Sequence, residues 1–182
     1  MSLGDGGAFN TAVGFHALQE NESGIHNVAI GESSLAGNES GSYNIAVGSN
    51  NMINNEMGSD NISFGRNTLF ENTSGEANIA IGTASMTGTT DLSNNIAIGD
   101  SAMASVQASP SEGMIGIGNK TMHNHSSLES STAIGNGALS NGVGSLNVAI
   151  GDGVMSEAGS DTIYGNTIIG QSAMQKLAGG FN

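Results

Sequence analysis

The chain has 182 residues, 29 of them Gly and one Pro, with no Cys; that rules out a disulfide framework and a thiolate metal site. Lys and Arg total 3 against 16 Asp and Glu, a formal net charge of −13, and three cations cannot neutralise a nucleic-acid backbone or grip anionic lipid. No run approaches the roughly 18 apolar residues of a membrane span, residues 1–20 do not read as a signal peptide, and glycine lacks the three-residue period of collagen.

In chain order, one short unit returns again and again. It reads Asn10-Thr-Ala-Val-Gly14, Asn27-Val-Ala-Ile-Gly31, Asn44-Ile-Ala-Val-Gly48, Asn61-Ile-Ser-Phe-Gly65, Asn78-Ile-Ala-Ile-Gly82 and Asn95-Ile-Ala-Ile-Gly99. Met114–Gly118, Ser131–Gly135, Asn147–Gly151 and Asn166–Gly170 follow. The closing glycines are 17 residues apart five times running, then 19, 17, 16 and 19. A fixed period of this length is the signature of a stacked repeat architecture. The residue four after each glycine is Leu or Met: Leu18, Leu35, Met52, Leu69, Met86, Met103, Met122, Leu139, Met155 and Met174. Six of the nine methionines thereby fall in one apolar column, which argues for a stacked core and against a copper site.

The five-residue unit alternates with period 2 and predicts a strand. Its β-branched pair, such as Ile45 and Val47, is expected to be buried, with Ala46 and Gly48 on the opposite face. A second short strand is expected near Leu35 and Met52. Polar turns such as Asn21–Gly24, Asn38–Gly41, Asn55–Gly58 and Asn72–Gly75 are expected to use left-handed backbone angles. No helical periodicity appears. The chain therefore predicts an all-β, parallel β-roll or β-solenoid of about ten coils, residues 1–182 forming one repeat domain. Stacking at about 4.8 Å would make a rod of roughly 48 Å, each coil stable only against its neighbours. Asn opens eight of the ten units and predicts an amide ladder along the stack. The small third position, Ala29, Ala46, Ser63, Ala80, Ala97, Ala133 and Ala149 among others, predicts close approach of a second surface. Parallel copies of the chain around an axis are the favoured source of that surface, and packing within the coil is the rival.

The Asn-Val-Ala-Ile-Gly and Asn-Ile-Ala-Ile-Gly units, over about residues 4–174, resemble the head repeats of trimeric autotransporter adhesins and the β-roll repeats of bacteriophage tail fibres. The resemblance implies a left-handed parallel β-roll, an intimate homotrimer, and extracellular attachment to a cell-surface glycan or protein receptor from a virion tail fibre or bacterial surface. The 17-residue period is longer than that of adhesin heads and fits the phage-type variant better. Residue 10 already opens a repeat, and the chain is expected to be a fragment of a longer fibre. A passive shaft and an ice- or surface-binding solenoid are the alternatives; the latter needs a regular Thr array, whereas Thr here is scattered.

Catalytic signals are missing from this pattern: no Ser-His-Asp or paired-carboxylate arrangement stands out, and no enzyme activity and no cofactor are expected. Ligand-binding candidates lie where the repeat is decorated or interrupted. His26 and Tyr43 share one position in successive coils, and aromatic faces suit sugar rings. Gln107, Pro110 and Glu112 belong to the first insertion and Tyr164 to the second, and loops of this kind often carry binding. His123 and His125 form a weak metal candidate, since metal sites want three or four ligands. Glu22, Glu39 and Glu56 stack in successive coils and are expected to be solvated. The Asn-x-Ser sequons at Asn21, Asn38 and Asn72 follow from composition.

Overall fold

A computed structural model describes residues 7–106, 112–125, 130–141, 144–156 and 163–175. Each repeat unit forms one three-residue strand: β1 Thr11–Val13, β2 Val28–Ile30, β3 Ile45–Val47, β4 Ile62–Phe64, β5 Ile79–Ile81, β6 Ile96–Ile98, β7 Ile115–Ile117 and β8 Thr132–Ile134. After the two-residue β9 Gly144–Ser145 come β10 Val148–Ile150, the two-residue β11 Ile163–Tyr164, and β12 Thr167–Ile169. The ten longer strands form one parallel sheet in chain order, β9 and β11 pairing separately. Register is strict: Ile45 pairs with Ile62, Ala46 with Ser63, Val47 with Phe64. The 19- and 16-residue intervals leave it intact, since β8 pairs with β10 and β10 with β12 at equivalent positions. The molecule is a parallel β-solenoid, all-β among the described residues.

Two asparagine ladders tie the coils together. The Asn44 backbone N–H donates to Asn27 Oδ1 at 2.9 Å, and Asn44 Oδ1 in turn accepts the Asn61 N–H at 3.0 Å. Asn44 Nδ2 donates to the Gly58 carbonyl at 2.8 Å, pinning the next coil's turn. The second ladder runs through the turns, where Asn38 Nδ2 reaches Asn21 Oδ1, Asn55 reaches Asn38 and Asn72 reaches Asn55, at 2.7, 2.7 and 2.8 Å. It stops at Asn72, whose Oδ1 is buried without a partner. The next member of that column is Thr89, whose hydroxyl turns back to the Met86 carbonyl at 2.8 Å.

Three local expectations are corrected. The turn asparagines Asn21, Asn38, Asn55 and Asn72 do not adopt left-handed angles; they are held by their side chains. Their partner Gly41 is required by space, because a Cβ there would run into the Gly58 carbonyl oxygen and Asn38 Oδ1. The second strand near Leu35 and Met52 is a turn: Ser33 and Leu35 have φ of 53° and 50°, Asn50 and Met52 51° and 49°, which no strand tolerates. An αL Leu or Met costs roughly 1–2 kcal/mol, whereas burying its side chain returns about 1.5–3 kcal/mol, so burial decides.

The third correction turns the strand over. Ala29, Ala46, Ser63, Ala80, Ala97, Ala133 and Ala149 have no exposed surface within the single chain. They face inward, in one core with Leu35, Met52, Leu69, Met86, Met103, Met122, Leu139 and Met155. Their small size is packing within the coil, and they cannot form a contact between chains. The β-branched pair faces outward instead. Two stability measurements check this arrangement. Asn61→Ala strips the buried Asn78 N–H of its 3.0 Å acceptor and is expected to lower unfolding free energy by about 2–3 kcal/mol in urea titration. Ala80→Leu is expected to destabilise by about 1–3 kcal/mol through overpacking.

Candidate functional site

Each of the strands β2–β8, β10 and β12 contributes two outward side chains, flanking its buried central residue. Residues paired in the ladder sit over one another, so Val28, Ile45, Ile62, Ile79, Ile96 and Ile115 form one file and Ile30, Val47, Phe64, Ile81, Ile98 and Ile117 the next. In the second file Ile30, Phe64, Ile81, Ile117 and Ile134 are between 36% and 40% exposed. The double file runs about 43 Å over nine strand spacings. An apolar file of that length, half-buried to exposed along its course, marks an interaction surface more often than bare solvent contact. Threonine stands in the first file at Thr11, Thr132 and Thr167, so the face is an aliphatic array and not the threonine array that ice binding requires.

A second feature occupies the corner just before the strands. Phe9, His26 and Tyr43 share one repeat position, and all three have left-handed φ, 63°, 58° and 60°. Phe9 stacks on His26 with centroids 4.8 Å apart and planes 6° off parallel, and His26 stacks on Tyr43 at 5.0 Å and 16°. The spacing is that of the coils themselves, so parallel stacking forces the rings face to face. Both faces of His26 are thereby covered by its neighbours. A sugar packing on an aromatic face finds the outer faces of the stack and the ring edges, not a three-ring platform. Phe9 belongs to the set although its coil begins the series; comparison of the first coil with the second, one position before each Asn, would have revealed it.

The remaining candidates are not brought together. Glu112 is exposed and bridges to Ser93 one coil below, about 19 Å along the stack from Tyr43 by four strand spacings. Tyr164, 57% exposed, lies in β11 near the far end. Gln107 and Pro110 lie outside the described residues. His123 is half-buried, and its affinity for protons is lowered by burial and by Lys120. His125 is buried in the coil interior. Among the described residues no group of three or more His, Asp or Glu is placed to hold a metal ion. Glu20, Glu39, Glu56 and Glu71 line an open groove of about 410 Å³ with Thr73 and Thr90. The sequons at Asn38 and Asn72 are inaccessible, as both amides are buried in the second ladder.

Comparison with protein-family profiles, curated proteins and solved structures returns no match. Among the described residues no helix is long and apolar enough to cross a membrane. The aromatic stack yields its own test: His26→Ala, which separates Phe9 from Tyr43, is expected to cost about 1 kcal/mol of unfolding free energy, read from the urea midpoint.

Proposed function

We propose that this chain is a rigid segment of a homotrimeric extracellular fibre, of the bacteriophage tail-fibre or bacterial adhesin type, that serves attachment to a cell surface. The parallel β-solenoid fits a fibrous structural role. The observation that carries the oligomer is the double file of outward Ile, Val and Phe side chains, continuous over the coils. The occupant of that face is a second and third copy of the same chain. Identical copies side by side offer a file of the same pitch at every level, so aliphatic side chains meet aliphatic side chains along the whole rod. Closed symmetric assembly is the usual outcome of such self-complementary surfaces, and the number three comes from the resemblance of the repeats to fibre proteins.

Attachment would rest on multivalency, three copies of a weak glycan or protein contact raising overall avidity. Glu112 and Tyr164, exposed residues bordering the two insertions, are the places for that contact, since the regular coils act as scaffold. No catalysis is part of this reading.

Light scattering tests the assembly. The wild-type protein is expected at three times the chain mass of 18.1 kDa. Ile81→Asp combined with Ile117→Asp is expected to give a monomer with an unchanged far-ultraviolet spectrum; a monomeric wild type would overturn the oligomer. A glycan array probed with intact trimer and with the monomeric variant tests attachment, binding being expected for the trimer and at least tenfold weaker for the monomer. An intact trimer that binds neither glycans nor cells is a passive shaft.

A further inference from the structure

The column that carries the second asparagine ladder continues above Asn72 as Thr89, Val106 and His125. Its members stay inside: Thr89, Val106 and His125 are 2%, 3% and 1% exposed. Neither ring nitrogen of His125 has a hydrogen-bond partner. A buried imidazole in this position is neutral, because an unpaired cation there would lack both water and a counter-charge. Its own coil, residues 112–125, carries Glu112, Lys120 and His123. The coil below, 93–106, carries Asp100 as its one charged residue, and residues 130–141 above carry no Asp, Glu, Lys, Arg or His. Asp100 is engaged with the Asn119 amide at 3.3 Å, and Lys120 acts on His123.

This coil holds the break in the first ladder. Asn95 Oδ1 accepts the Met114 N–H at 3.0 Å, but Met114 has no side-chain oxygen to offer the next coil, and the ladder resumes one coil later, where Ser131 Oγ accepts the Asn147 N–H at 3.2 Å. The second has already lost its amides to Thr89 and Val106. Below residue 95 the first ladder is unbroken, from Asn27 on Asn10 up to Asn95 on Asn78.

We propose that His125 is the trigger of an acid-labile joint in the rod: a proton on this imidazole opens coils 112–125 and 130–141 while the asparagine-laddered coils before them stay closed. In the closed form, burial lowers the pKa of His125 from 6.5 to about 4. The opened form takes up a proton at the ordinary value, so the closed form is favoured fully above pH 6.5 and loses ground as pH falls toward 4. This linkage shifts the opening equilibrium roughly 70-fold between pH 7.5 and pH 4.5. The inference does not depend on attachment or on the number of chains in the fibre.

Hydrogen exchange of the full chain tests it, with rates referred at each pH to those of an unstructured peptide. In the wild type, protection of 112–125 and 130–141 is expected to fall roughly 70-fold from pH 7.5 to pH 4.5, with 27–99 unmoved. His125→Val, which repeats the residue of the coil below, and His125→Asn, which restores a ladder residue, are each expected to abolish the fall; the second serves if the first misfolds. An equal response in wild type and both variants overturns the joint, as does a wild-type loss of protection spread evenly along the rod.

Discussion

The structure depends on a side-chain amide placed one residue before a strand. Asn27, Asn44, Asn61 and Asn78 each accept the next coil's backbone N–H through Oδ1, and each donates through Nδ2 to a carbonyl 14 residues on. A three-residue strand fixes little by itself, and the corners between strands leave backbone groups that a sheet cannot satisfy. The asparagine supplies both missing partners within the stack. Buried polar groups tolerate no half measures, so the same amide that stabilises the coil also forbids any register but one.

That constraint explains the composition. Asparagine and glycine are abundant because the coils from Asn27 to Asn72 each bury two amides and because the coils make close contacts with the coil above. At Gly48, with φ of 141°, a Cβ would strike the Gly65 carbonyl. Leu and Met line the interior because the corner residue must be flexible enough to fill a small lumen from an αL backbone. The aromatic stack Phe9–His26–Tyr43 is a third consequence, for any exposed ring repeated at one position in a parallel stack must meet its copies face to face.

Where the ladder falters the molecule changes character. Up to Asn95 the interval is 17 residues throughout, and beyond Gly99 it varies, with the second asparagine column already ended at Asn72, the first broken at Met114, and an unpartnered imidazole in the interior. The outward aliphatic files continue past this region at Ile115, Ile117 and Ile134. The lateral surface is thus kept constant along the rod, and the strand pairing with it, while the side-chain amide ladders thin out. A shared lateral face suits association of copies, and the thinned ladders are where the proposed acid-labile joint sits.

Much of the architecture was legible in the residues. The 17-residue interval made equivalent residues stack, the Leu/Met column marked the interior, and Asn at eight unit starts announced the first ladder. His26 and Tyr43 were recognisable as neighbours for the same reason. The second ladder was hidden because Asn next to Glu, Ser and Gly also reads as an ordinary turn. Which side of the strand faces inward was beyond the sequence: alternation of period 2 defines two faces but does not assign them, and the larger, more apolar pair seemed the natural core. Tertiary structure decided otherwise because one small coil must already hold a Leu or Met side chain, and opposite it the strand turns its small third position inward in most coils.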